Sequence, residues 1–254
     1  MAESAVTYLL LCASALVAGA VNAVAGGGTL LTFPSLLAVV SAVPANATST
    51  FALLPGSLAG AWGYRQEIKE SSVMLKKLFL PSLIGGILGS LAVTRFPGRV
   101  FETLVPWLLV IASTLMVLQK PLSAWIGAHP HAAPSRGAVA AVVFFQFLVG
   151  VYGGYFGAGI GILMFGALGF MGIPNIHQIN GIKTVLAGVM NGVTVVIFMI
   201  EGVIVWRFAL AMAATAIIGG YLGARLARRL PAAYVRAIVI AIGFGVAAYS
   251  FYRR

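Results

Sequence analysis

The sequence predicts an all-α polytopic membrane protein built from two related halves. Three observations carry that prediction. Of 254 residues, 61% are hydrophobic and 8% are charged, with a mean hydropathy of +1.03; a soluble domain carries about 25% charged residues. The apolar residues fall into ten blocks separated by charged or turn-rich breaks. The second half of the chain repeats the order of features of the first. Disorder is excluded, because it requires low hydrophobicity.

A membrane-spanning helix needs about 20 apolar residues. The first block, 5–25, follows Met1-Ala2-Glu3-Ser4. A secretory signal would carry a positive leader, so this block is expected to stay as a helix. A glycine run, Gly26-Gly27-Gly28, leads into the short block 29–43. Pro44 opens the block 45–64, headed by Asn46-Ala47-Thr48-Ser49-Thr50. The charged stretch Arg65 to Glu70 separates it from 75–95, and Phe96-Pro97-Gly98-Arg99 marks the start of 98–118. The polar stretch 119–136, with Lys120, His129, His131 and Arg136, reads as a linker between halves 1–118 and 137–254.

The second half runs in the same order. Block 137–156 ends in Gly150 to Gly159, as the first ends in Gly19 to Gly28. The short block 160–173 and Pro174 follow, then 175–199 with Asn180-Gly181-Ile182-Lys183-Thr184 near its start. Blocks 204–225 and 232–251 close the chain around a basic break, Arg225 to Pro231. Eight blocks are long enough to cross; two, 29–43 and 160–173, are short and flanked by glycine. Alternating strand patterning is absent.

If the short blocks count as segments, each half has five and the halves are inverted. Ten Lys and Arg then share the inner side, five lie outside, and Lys183 falls inside a span. Re-entrant short blocks would give parallel halves and a nine-to-six split. The positive-inside rule favours the inverted arrangement of eight long and two short segments. The basic residues sit between apolar blocks, so the net charge of +11 points to membrane topology, not to nucleic acid.

In hydrocarbon, each polar group needs a partner, so broken and polar stretches at membrane depth mark function. Glycine runs at Gly26, Gly27, Gly28 and at Gly157, Gly159 interrupt helices and leave backbone amides approachable. The helices after them begin at Thr29 and Ile160, and a helix start favours anions. Paired broken helices are a transporter feature. Helical period puts Asn46, Ser49, Thr50 and Ser57 on one stripe, and Asn180, Lys183, Thr184 and Asn191 on its counterpart. Lys183 lies about eight residues into its helix, roughly 12 Å deep. No acid shares its stripe, so an anion contact is expected. Asn22, one turn before the first glycine run, can line the same cavity, as can Tyr152 and Tyr155.

Other features carry less. His129-x-His131 has no third ligand near it, and His177 reads as an interface residue. Gly157-x-Gly159-x-Gly161 lacks a preceding strand and is no dinucleotide site. No metal or cofactor motif occurs. The five Glu fall near segment ends and there is no Asp, which argues against a carboxylate proton relay. One cysteine, Cys12, permits no disulfide within one chain. The expected partners are a small anion and membrane lipids, with self-association left open.

The run Asn22-Ala-Val-Ala-Gly26-Gly27-Gly28-Thr-Leu-Leu-Thr-Phe-Pro34 resembles the N-terminal signature of the TauE/SafE family of sulfite and organosulfonate exporters. Ala45 to Thr50, Leu54-Pro55-Gly56-Ser57 and Gly63-Tyr64-Arg65 are similar to it as well. Gly153 to Thr184 resembles the family's second repeat, and the likeness spans essentially the whole chain. The resemblance implies transport of small sulfur oxyanions or sulfonates across a bacterial inner membrane. Rival readings are an anion channel and an intramembrane enzyme; the sequence shows no convergent catalytic set for the latter.

Overall fold

The computed structural model describes residues 5–24, 27–63, 65–128, 135–169, 171, 173, 176–226 and 232–252. Gly26, His129, His131, Pro174 and the break at 227–231 lie outside the described residues. Eleven helices and no strand are present among those described. They are α1 (Ala5–Val24), α2 (Thr29–Leu37), α3 (Ala42–Gly63), α4 (Arg65–Glu70), α5 (Ser72–Arg95), α6 (Gly98–Ala128), α7 (Arg136–Tyr155), α8 (Ile160–Gly169), α9 (Ile176–Ile200), α10 (Trp206–Leu226) and α11 (Ala232–Tyr252).

By length and composition, five described stretches can cross a membrane: Ala5–Asn22, Ser72–Arg95, Gly98–Leu122, Arg136–Tyr155 and Gln178–Ile200. The short blocks fold as α2 and α8, of 9 and 10 residues. At 1.5 Å per residue they reach about 14 and 15 Å, half a hydrocarbon core of about 30 Å. Helix α6 continues through Ala128, so residues 119–128 of the polar stretch are helical. Within this stretch the side chain of Leu122 packs on Gly166 of α8.

Close contacts fix the helix directions. Tyr8 packs on Phe208, with ring centroids 5.3 Å apart, and a Cβ at Gly219 would overlap the backbone of Leu16. Both numbers rise together, so α1 and α10 run parallel. In the same way Ser82 pairs with Gln146, Gly85 abuts Gly150 and Gly89 abuts Gly154, so α5 and α7 run parallel. Thr48 bonds Val205 beyond the end of α9, while Glu70 bonds Gln178 at its start. Helices α3 and α9 are therefore antiparallel. Trp107 packs on Phe251 and Ser113 on Gly243, which makes α6 and α11 antiparallel.

The two parallel seams rest on glycine. A Cβ at Gly89 would overlap the carbonyl of Val151, and one at Gly154 the carbonyl of Gly86. Small residues of this kind let helix backbones meet in lipid, where dispersion replaces the hydrophobic effect as the packing force. The sequence carries the matching motif in both halves, Ile84-Gly85-Gly86-Ile87-Leu88-Gly89 and Ile218-Gly219-Gly220-Tyr221-Leu222-Gly223.

A buried aromatic cluster ties the halves together. Phe33 of α2 meets Phe156 at 5.2 Å and Phe101 of α6 at 6.4 Å between ring centroids, both edge to face. All three rings are fully buried.

Candidate functional site

The two chain breaks meet on one turn of α6. A Cβ at Gly27 would lie 2.8 Å from the sulfur of Met116. One at Gly159 would lie 3.3 Å from Leu115 and 3.7 Å from Ala112. Ala112 and Met116 are four residues apart, about 6 Å along the axis, and sit midway along α6. No sequence signal marks this turn of α6, because its residues are ordinary apolar ones.

Each break turns through left-handed glycines: Gly27 at φ +93°, and Gly157 and Gly159 both at +80°. Side chains with a Cβ rarely adopt this region. The two breaks then differ. At the first, Gly28 donates its amide to Oδ1 of Asn22 at 2.7 Å, so the start of α2 is capped from within. At the second, the hydroxyl of Tyr152 donates to the Ala158 carbonyl at 2.7 Å. The first amides of a helix have no acceptor inside it, and none from a side chain is described for the start of α8.

Lys183 and Asn191 flank that start. The alkyl stem of Lys183 lies along Gly161, where a Cβ would come within 3.3 Å of Cδ. Its ammonium donates to Oδ1 of Asn180 at 3.0 Å. The oxygen of the Asn191 amide faces Gly157, 3.7 Å from where a Cβ would stand. The positive end of α8, an ammonium and side-chain amides thus lie together around the second break. That set suits a compact anion.

The first-half stripe holds helices in place. Asn46, 1% exposed, donates from Nδ2 to the carbonyl of Tyr155 at 3.0 Å and so fixes the end of α7 just before the break. Its Oδ1 has no partner among the described residues. Ser49 bonds Thr32 at 2.6 Å, pinning α2 to α3. Thr50 donates to the Asn46 carbonyl at 2.8 Å, and Thr184 donates to the Asn180 carbonyl at 2.7 Å. The two halves therefore repeat one local bond at matching stripe positions.

A cleft of about 720 Å³ borders the second break at Leu115 and Ile162 and is lined by apolar side chains of α6, α7 and α8, and another of about 450 Å³ lies between α5 and α7. The polar residues above line neither.

Comparisons with known proteins fit this architecture. The sequence profile of the family described as Sulfite exporter TauE/SafE matches residues 11–250. The chain is 27% identical to the probable membrane transporter protein ORF9 of Sinorhizobium sp., over 92% of this chain and 88% of that one. It is 30% identical to the probable membrane transporter protein YfcA of Escherichia coli (strain K12), over 85% and 77%. A probable membrane transporter protein of Haemophilus influenzae is 27% identical, over 93% and 91%. No solved structure gives a significant match. A multi-pass helical chain, matched along nearly its whole length by the family profile and by probable transporters, belongs to the TauE/SafE sulfite exporter family.

Proposed function

We propose that this transporter exports a small sulfur-containing anion, such as sulfite, sulfoacetate or another organosulfonate, by alternating access across the bacterial inner membrane. The observation that carries the reading is the uncapped start of α8 beside Lys183, at the turn of α6 where both breaks meet. Sulfite and sulfonates present compact anionic oxygens that match several donors at once. Lys183 supplies charge. Asn180 and Asn191 supply side-chain amides, and Gly159 with the first amides of α8 supplies backbone donors. Asn46, Thr50, Thr184 and Gly157 shape the site, with their protons donated to the carbonyls of Tyr155, Asn46, Asn180 and Tyr152. Asn22, Gly27 and Gly28, with Ser49 behind them, form the facing wall, and Gly26 belongs to the same glycine run in sequence. Many weak contacts also let the anion leave, as transport requires.

The inverted ten-segment arrangement belongs to the same proposal, with halves 1–118 and 137–254 joined by 119–136. Halves related by an axis along the membrane normal would keep corresponding helices parallel. The antiparallel pairs α3/α9 and α6/α11 support an axis in the membrane plane instead. The mirrored parallel seams, α1/α10 and α5/α7, are its expected companions. Such an axis places both breaks at the midplane, where rocking of one half against the other can expose the anion to either side.

Flux into liposomes tests the function. Purified protein is reconstituted and supplied with sulfite, sulfoacetate, taurine and sulfate. Saturable flux with counterflow for a sulfur anion is expected. Linear flux without counterflow would make the protein a channel. Absence of flux for all four would overturn the substrate class.

A further inference from the structure

We propose that the groove between α5 and α7 is a binding site for an anionic phospholipid, with an acyl chain in the groove and the phosphate held by Lys77 and Arg136. The groove has a volume of about 450 Å³ and is lined by Leu80, Pro81, Ile84, Val143, Phe144 and Phe147 among others. It opens on the outer surface of the bundle, where Leu80, Ile84 and Phe144 are exposed. In a multi-pass membrane protein that surface faces lipid.

Helical spacing points both cations at the same groove. Lys77 precedes Leu80 by three residues and Ile84 by seven, so it continues the groove-facing stripe of α5. Arg136 precedes Val143 by seven residues and Phe144 by eight, so it continues the stripe of α7. The parallel register of these helices, set by Ser82 with Gln146 and Gly85 with Gly150, puts both cations at one end. Lys77 lies level with residues 141–142 and Arg136 with 71–72, about 8 Å apart in height. Both side chains are exposed, and neither has a described hydrogen bond or ion pair. No acid occurs in the sequence between Glu102 and Glu201, and Glu70, at the height of Arg136, accepts a hydrogen bond from Gln178 at 2.9 Å. Basic pockets between helices above an apolar groove take anionic head groups.

The matching seam on the other side of the bundle lacks this cradle. No basic residue occurs in 1–64, so α1 contributes none. At the start of α10 the one cation, Arg207, is stacked on Phe208 with its guanidinium carbon 5.1 Å from the ring centroid. The apolar seam is shared by both halves, but the paired cations are not. The site is therefore specific to one leaflet.

The test uses the full chain in detergent and native mass spectrometry. Delipidated protein is titrated with phosphatidylglycerol and with phosphatidylcholine of the same acyl chains. Wild type is expected to retain phosphatidylglycerol preferentially. The exposed double substitution Lys77→Gln with Arg136→Gln should lower that preference by about 30-fold, from roughly 1 kcal/mol per basic residue. Ala140→Trp, which fills the groove, should weaken retention of both lipids. Equal retention of the two lipids by wild type overturns the proposal, as does an undiminished preference in the double variant. Disulfide capture of a second copy through Phe144→Cys in membranes would make the groove a protein interface and overturn it too.

Discussion

The ammonium of Lys183 donates to the amide oxygen of Asn180, one turn earlier on α9, at 3.0 Å. A neutral amide orients the ammonium without cancelling its charge. No carboxylate lies within the sequence 103–200 to do so. A lysine held in this way beside an open helix start is suited to a charge that arrives and leaves. Removing it deletes a hydrogen bond to a charged group, about 1.5–3 kcal/mol. Lys183→Ala should raise the half-saturation concentration for the preferred anion by about 10- to 100-fold. Lys183→Arg should retain part of the affinity. Unchanged flux kinetics in Lys183→Ala would show that the lysine has no part in binding.

The left-handed glycines make a second prediction. Gly27→Ala and Gly159→Ala place a Cβ in a conformation that costs roughly 1–2 kcal/mol. Gly56, inside α3 with nothing within 4 Å of a Cβ, is the control. There the change to Ala should stabilise the helix by up to about 1 kcal/mol. Thermal unfolding in detergent should move the two groups in opposite directions; a shared direction would contradict the turn geometry.

The glycine seams predict a third outcome. Gly89→Ala and Gly219→Ala both drive a Cβ into backbone of a facing helix, Val151 and Leu16 respectively. Overpacking of this kind costs about 1–3 kcal/mol. Each variant should therefore lower the unfolding temperature. Equal stability to wild type in both would mean that the helices do not approach at these positions.

The pair Thr32 and Ser49 predicts a fourth. Their hydroxyls share a buried bond at 2.6 Å that pins α2 to α3. A double-mutant cycle with Thr32→Val and Ser49→Ala should give a coupling of about 0.6–1.7 kcal/mol, the range for bonds between membrane helices. Zero coupling would detach the two side chains.

A fifth concerns topology. Residues 65–77 and 178 lie at one end of the bundle, and Arg95 with Glu201, 2.9 Å apart, at the other. Single cysteines at Glu70 and Gln178 should react with an impermeant reagent from the same side. Cysteines at Arg99 and Gly202 should react from the opposite side. Labelling of both pairs from one side would refute the helix directions.

The membrane class, the helical state and the places where helices break are legible in the chain before any packing is known. Each of these follows from local chemistry. A block rich in apolar residues must bury its backbone polar groups in a helix, and the glycines at Gly26–Gly28 and at Gly157 and Gly159 weaken one where the chain turns. The starts of α2 at Thr29 and α8 at Ile160 were legible for that reason. Length was less legible at 119–128, where Leu122 finds a seat on Gly166 that no local pattern announces. Packing between helices sets both breaks on Ala112 to Met116 of α6 and makes α3 and α9 run in opposite directions. It also gave the two counterpart stripes different tasks: Ser49 of the first is spent on Thr32, whereas Lys183 of the second stands beside an uncapped helix start. The reason is physical. A stripe fixes which way a side chain leaves its own helix, but its partner belongs to another helix, and packing alone chooses that neighbour.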